Sequence, residues 1–147
     1  VPSRNLWIKH ISLSPRDLKS DPPGIKVRPM EGLAGVDYLT PGTLTNFVSY
    51  VFGPVIVRLQ KYGYKNGVNL DAAPYDWRLS PAELERRDQY FSNTMKKVEE
   101  MHEKNNGLPV VLLCHSLGCK VAHYFLEFAH ARDETWCQRY IHTYMPV

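Results

Sequence analysis

Ser116 stands in the run Val110-Val111-Leu112-Leu113-Cys114-His115-Ser116-Leu117-Gly118, an unbroken apolar stretch that ends in a reversal and passes into helix-forming residues. A serine hydroxyl is a weak nucleophile. It needs a base to take its proton, an acid to orient that base, and donors for the oxyanion formed when it attacks a carbonyl. A sharp strand-to-helix turn supplies part of this. It lifts the hydroxyl clear of the sheet edge and leaves the backbone N–H of Leu117 at the helix start, where the helix dipole favours a developing negative charge. Small residues two before and two after the serine relieve crowding between strand and helix. Gly118 meets the second condition, and Cys114 meets the first with some extra bulk. The plainer alternative is that Ser116 is only a helix N-cap.

In this arrangement the acid and the histidine follow the serine in the chain. The residues after Ser116 include His123, His130, His142, Asp133 and Glu134. The first two histidines belong on or near the helix after the turn, pointing away from its start, and His142 lies mid-strand. His115 precedes the serine, so its side chain faces another direction and is a poor base. The expectation is that base and acid lie beyond Val147, making the chain a fragment that is catalytically incomplete by itself.

A second group, Asp76-Trp77-Arg78, follows Ala72-Ala73-Pro74-Tyr75. Asp76 and Arg78 are opposite charges in a loop. They read either as an ion-paired brace of the site wall or as a direct hold on the substrate. Trp77 reads as packing more readily than as a substrate contact. With His115, these three residues are the candidate wall of a substrate pocket. Cys114, Cys119 and Cys137 give neither a disulfide framework nor a zinc pattern, and no Gly-rich phosphate cradle is present. No metal and no nucleotide cofactor is expected.

Elements must position these groups. The chain has 147 residues, 44% apolar and 22% charged, which suits one globular domain. The net charge is +3, and Arg86-Arg87 and Lys96-Lys97 are interleaved with acids, so no nucleic-acid stripe is expected. Residues 1–43 are punctuated by prolines and read as an irregular cap, with a short strand or buried segment at 7–11 and a short strand at 25–28. Residues 44–62 have helical periodicity, interrupted at Gly53-Pro54 and stopped by Gly63. Phe47–Val57 is too short to span a bilayer, and no signal peptide is visible. Residues 68–73 read as a strand. Ser80, Pro81 and Glu83 open one long helix with a stripe of Leu84, Phe91, Met95, Val98 and Met101, closed by Asn105-Asn106-Gly107. Residues 110–114 read as a strand buried on both faces, 117–131 as a helix and 140–145 as a further strand. This alternation over 44–147 predicts a parallel sheet with helices on both faces, and a site at the C-terminal strand ends.

Two segments together resemble one family. Ala72-Ala73-Pro74-Tyr75-Asp76-Trp77-Arg78-Leu79 is similar to the segment before the nucleophile in the lecithin:cholesterol acyltransferase family, which includes phospholipid:diacylglycerol and phospholipid:sterol acyltransferases. His115-Ser116-Leu117-Gly118 with Tyr124-Phe125-Leu126 resembles the family's nucleophile region. The resemblance extends to Pro23–Arg28, Val36–Leu39, Glu85–Asp88 and Ile141–Tyr144. It implies a partial α/β-hydrolase fold and a serine acyl-enzyme drawn from a phospholipid. The acyl group would pass to a sterol, a diacylglycerol or water at a membrane or lipoprotein surface. It further implies an endomembrane or secreted setting. Three departures stand beside it: Cys114 replaces a usual smaller residue, the loop giving a second oxyanion donor has no counterpart, and the family's catalytic Asp and His regions are absent.

Overall fold

The computed structural model describes residues 4–38 and 50–147. Helix α1 spans Arg4–Ile11, and a 3-10 turn covers Gly32–Gly35. Helices α2 (Gly53–Lys61), α3 (Pro81–Asp88) and α4 (Tyr90–Lys104) follow. Then come strand β1 (Val110–Cys114), helix α5 (Leu117–Arg132), the short helix α6 (Trp136–Tyr140) and strand β2 (Ile141–Pro146). The two strands pair in parallel, with Leu113 opposite Met145 and Cys114 opposite Pro146. The chain between them is a helical crossover, as a parallel pair requires. The result is a mixed α/β architecture.

Several local expectations are corrected. Residues 7–11 lie in α1, not in a strand, and Leu6, Trp7 and Ile8 are exposed there. Residues 25–28 form no regular strand. The stretch 68–73 is also not a strand. The N–H groups of Val68, Asn69 and Leu70 all turn back to the Lys65 carbonyl, and Gly67 at φ 72° permits that loop. Val68 is the only β-branched residue of the six, and Asn69, Asp71, Ala72 and Ala73 are types depleted in strands. The interruption expected at Gly53-Pro54 is where helix α2 starts, with Pro54 in its first turn. The part of the expected 44–62 helix before residue 50 lies outside the described residues.

Ser80 caps α3 as its sequence suggests, accepting from the Glu83 N–H at 3.4 Å. The reciprocal half of the capping box is not made: Glu83 Oε1 pairs with Arg86, and among the described residues Oε2 has no partner. The long helix also breaks at Gln89, whose φ of 51° and ψ of 35° are left-handed. The second piece gains its cap from the first. The Glu85 carboxylate accepts from the N–H groups of Phe91 (2.9 Å) and Ser92 (3.1 Å), placing negative charge at the N-terminus of α4.

The core lies among α3, α4, α5 and α6. Leu84, Phe91 and Trp136 are its most buried large side chains, with Val98, Val121, Phe125 and Ala129 around them. Val110, Leu112 and Ile141 bring the strands onto this core. Burial along β1 alternates: Val111 is 50% exposed and Leu113 36%. The expected burial on both faces is therefore replaced by one packed and one open face among the described residues. None of the helices among the described residues is long and apolar enough to cross a membrane.

Candidate active site

The chain leaves β1 at Cys114 and enters α5 at Leu117, so His115 and Ser116 alone make the reversal. Ser116 has φ 51° and ψ −121°, a conformation that L-residues rarely adopt. An N-cap serine ordinarily sits in extended backbone with its oxygen turned onto its own helix. Here Ser116 occupies the N-cap position, yet its side chain makes no cap hydrogen bond. The residue is exposed. The turn is closed by backbone instead: Gly118 N–H donates to His115 O (2.9 Å) and Cys119 N–H to Ser116 O (3.0 Å). Among the described residues no acceptor is bonded to the Leu117 N–H. That donor stands one residue beyond the serine at the positive end of a 16-residue helix.

Strand β2 grips the turn from its side. Val147 N–H donates to Cys114 O (2.9 Å), Val147 O accepts from Ser116 N–H (3.2 Å), and Tyr144 Oη donates to Cys119 O (2.8 Å). Cys114 is buried beneath the turn with Sγ 3.7 Å from Met145 O. Burial, reinforced by the neighbouring Cys119 thiol, pushes the Cys114 thiol up to about 11. It is a neutral packing group at physiological pH. The other small position is looser than expected. Among the described residues, a Cβ built on Gly118 finds only Tyr75 Oη, at 4.0 Å, and none of them demands a glycine there.

The histidines after Ser116 are engaged elsewhere or point outward. His130 Nδ1 meets Glu134 O at 3.1 Å, His142 Nδ1 meets Thr143 Oγ1 at 2.7 Å, and His123 is exposed on α5. The His115 ring lies edge-on to Phe52, with centroids 6.5 Å apart.

The 75–78 loop divides its residues between two tasks. Tyr75 faces the sharp strand-to-helix turn at Ser116, here called the elbow, with its Oη 4.0 Å from where a Gly118 Cβ would stand. Asp76 and Arg78 turn the other way, into a buried ion network. Arg78 Nε and Nη2 donate to Asp76 Oδ1 (2.8 Å) and Oδ2 (2.7 Å), and Nη2 also reaches Asp21 Oδ1 at 2.8 Å. Arg87 Nη2 adds a bond to Asp76 Oδ2 at 2.8 Å. Arg28 holds the other oxygen of Asp21 at 2.5 Å. Burial alone would raise the Asp76 carboxyl, but the hydrogen bonds from Arg78 and Arg87 outweigh it and hold it at about 2. Trp77, between them in sequence, is 62% exposed. Sequence reasoning passed over Asp21, Arg87, Tyr75 and Tyr144. Tyr75, Arg87 and Tyr144 carried one signal, their places in the segments that resemble the family, and Asp21 carried none.

A family model described as lecithin:cholesterol acyltransferase matches residues 2–147. The chain belongs to this family. It is 36% identical to the phospholipid–sterol O-acyltransferase of Arabidopsis thaliana, over 97% of this chain and 23% of the relative. It is 33% identical to phospholipid:diacylglycerol acyltransferase 1 of the same plant, over 96% of this chain and 21% of the relative. A mouse relative named lysosomal phospholipase A and acyltransferase is 35% identical over 86% of this chain and 29% of its own length. The chain thus spans less than a third of the curated relatives it matches. No solved structure matches it. In this member of the lecithin:cholesterol acyltransferase family, the matched region includes both the elbow and the Pro-Tyr-Asp-Trp-Arg loop.

Proposed function

We propose that these residues carry the nucleophile of a serine-dependent lipid O-acyltransferase. The observation that supports this most directly is the backbone of Ser116. At φ 51° and ψ −121°, with no cap bond from its side chain, it has a strained turn and an unspent hydroxyl at a strand-to-helix junction. Strain of this kind is kept where surroundings enforce it, and it clusters at sites of function.

In this reading Ser116 Oγ attacks the acyl carbonyl of a phospholipid while a base takes its proton. The C–O bond to the glycerol breaks as the tetrahedral intermediate collapses, the leaving alkoxide is protonated, and an acyl-serine remains. The Leu117 N–H donates to the oxyanion of that intermediate. A hydroxyl of a sterol or diacylglycerol then attacks the acyl-serine and carries the acyl group away. The histidine base and its orienting acid are assigned to sequence other than these 147 residues, since the histidines after Ser116 are turned elsewhere. Asp76 and Arg78 hold the site wall in place from behind, while Trp77 and His115 present themselves towards the acyl donor. A membrane or lipoprotein surface is the expected source of that donor.

Water as the acceptor is the second reading, favoured by the mouse relative whose name joins phospholipase A to acyltransferase. Full-length protein given acyl-labelled phospholipid with sterol or diacylglycerol separates the two. Labelled sterol ester or triacylglycerol is expected, and free fatty acid as the only product sinks the transferase reading. Ser116→Ala is expected to abolish both products and labelling by a fluorophosphonate. Full activity in that variant sinks the nucleophile assignment, whereas wild-type protein that yields neither product and takes no fluorophosphonate label leaves a non-catalytic lipid-binding role.

A further inference from the structure

The strained turn at Ser116 is held by β2 and by Val147 just after it. Val147 supplies two backbone bonds, through groups that any residue at that position other than proline provides, and the thiols add longer contacts, Cys119 Sγ to Val147 O at 3.8 Å and Cys114 Sγ to Met145 O at 3.7 Å. The remaining bond is different in kind. It is the phenol of Tyr144 on the Cys119 carbonyl at 2.8 Å, and only a side chain of that length and polarity at position 144 can make it.

Cys119 is the third residue of α5, the position whose N–H an N-cap serine oxygen ordinarily takes. At present that N–H is bonded to the Ser116 carbonyl at 3.0 Å, not to the side chain. If the first turn of α5 shifted, Ser116 could relax to an extended backbone and lay its oxygen on the helix. The hydroxyl would then be capping the helix and unavailable to a base. A conformation such as that of Ser116 persists only where its surroundings over-determine it. Tyr144 restrains the very residue whose movement would release it. Beside it in β2, Met145 is 45% exposed, whereas Tyr144 is half-buried on the α5 side.

We propose that Tyr144 is a positioning residue of the elbow: by tethering the Cys119 carbonyl it keeps Ser116 in its raised conformation with the oxygen free of the helix. This rests on Ser116 being the nucleophile. The test uses the full-length protein and four forms: wild type, Tyr144→Phe, Tyr90→Phe and Ser116→Ala. Phenylalanine keeps the ring, so both tyrosine variants are expected to fold. Tyr90→Phe is the matched control, since it removes a hydroxyl bond of 2.7 Å, to Ala73 O, that does not touch the elbow.

For each form kcat, KM, the rate of fluorophosphonate labelling and the melting temperature are measured. Tyr144→Phe is expected to lower kcat and the labelling rate together by about 3- to 10-fold, the equivalent of one hydrogen bond, with KM unchanged. Tyr90→Phe is expected to leave the labelling rate unchanged at a similar cost in melting temperature. The inference is overturned if Tyr144→Phe labels like wild type, or if both tyrosine variants lose labelling in step with their stability. Loss of labelling in Ser116→Ala beside an unaffected Tyr144→Phe overturns the inference alone. Labelling that survives in Ser116→Ala overturns the nucleophile assignment and the inference with it.

Discussion

Arg78 and Asp76 meet through both edges of their planar groups, Nε to Oδ1 at 2.8 Å and Nη2 to Oδ2 at 2.7 Å, with the two side chains 4% and 3% exposed. A guanidinium in this geometry is matched to a carboxylate as a fork, and a lysine cannot reproduce it. The same Arg78 also ties Asp21 and the carbonyls of Ser12 and Val27. It is the knot between the N-terminal segment and the loop beside the elbow.

Removing that knot leaves two buried carboxylates short of a partner. Arg78→Met is expected to cost about 3–5 kcal/mol of stability, the range for breaking a buried ion pair from one side. Arg78→Lys is expected to recover less than half of the loss. Denaturant midpoints of the three forms check this. A loss under roughly 1 kcal/mol in Arg78→Met would mean that the pair behaves like an exposed one.

Acid should find the same network. The Asp76 carboxyl is held at about 2, below its ordinary 3.8, and Asp21 is also lowered, its burial outweighed by bonds from Arg78 and Arg28. Because the folded-state values lie below the unfolded ones, the stabilisation is fully present above roughly pH 4. It is lost as the pH falls towards about 2. The wild-type denaturant midpoint is therefore expected to drop across that window. Asp76→Asn is expected to start lower and to fall less steeply. Parallel curves for the two would remove Asp76 from the acid limb.

Gly118→Ala is expected to be tolerated. Gly118 lies inside α5, its backbone is not in the positive-φ region, and an added Cβ meets only Tyr75 Oη at an ordinary 4.0 Å. Alanine is favoured over glycine in a helix by about 1 kcal/mol. The melting temperature should hold or rise, and fluorophosphonate labelling of the full-length protein should persist. A collapse in stability would point to crowding from the rest of the sheet.

What the sequence made legible was local. Ser80-Pro81 opening α3, Asn105 to Gly107 closing α4 and the strand–turn–helix around Ser116 each follow from neighbouring residues. The break at Gln89 was not legible, because α4 is capped by Glu85, a residue inside the preceding helix, and glutamine carries no signal for a left-handed backbone. The stretch 68–73 was misread as a strand because Val68 and Leu70 alternate with polar residues, whereas its Asn, Asp and Ala favour the loop that closes on the Lys65 carbonyl. In the candidate site, the chain reversal at Ser116 and the Asp76–Arg78 ion pair were readable from type and spacing. Asp21 and Tyr144 were not, since they reach their partners across 57 and 25 residues of sequence.

The raised backbone of Ser116 predicts an inverse relation between stability and chemistry at that position. A non-glycine residue at φ 51° and ψ −121° carries strain of about 1–3 kcal/mol. Glycine enters this region freely, but returns roughly 0.5–1 kcal/mol through the larger entropy it loses on folding. Ser116→Gly is therefore expected to gain about 1 kcal/mol. Ser116→Ala keeps the Cβ and the strain, and it forfeits no cap bond, because the Ser116 side chain makes none. Its stability should match the wild type to within about 0.5 kcal/mol. Neither variant should label with a fluorophosphonate. The ordering of the three midpoints is the check. If alanine falls well below serine, the hydroxyl was capping the helix in solution, and the geometry that supports the nucleophile is not the one the protein holds.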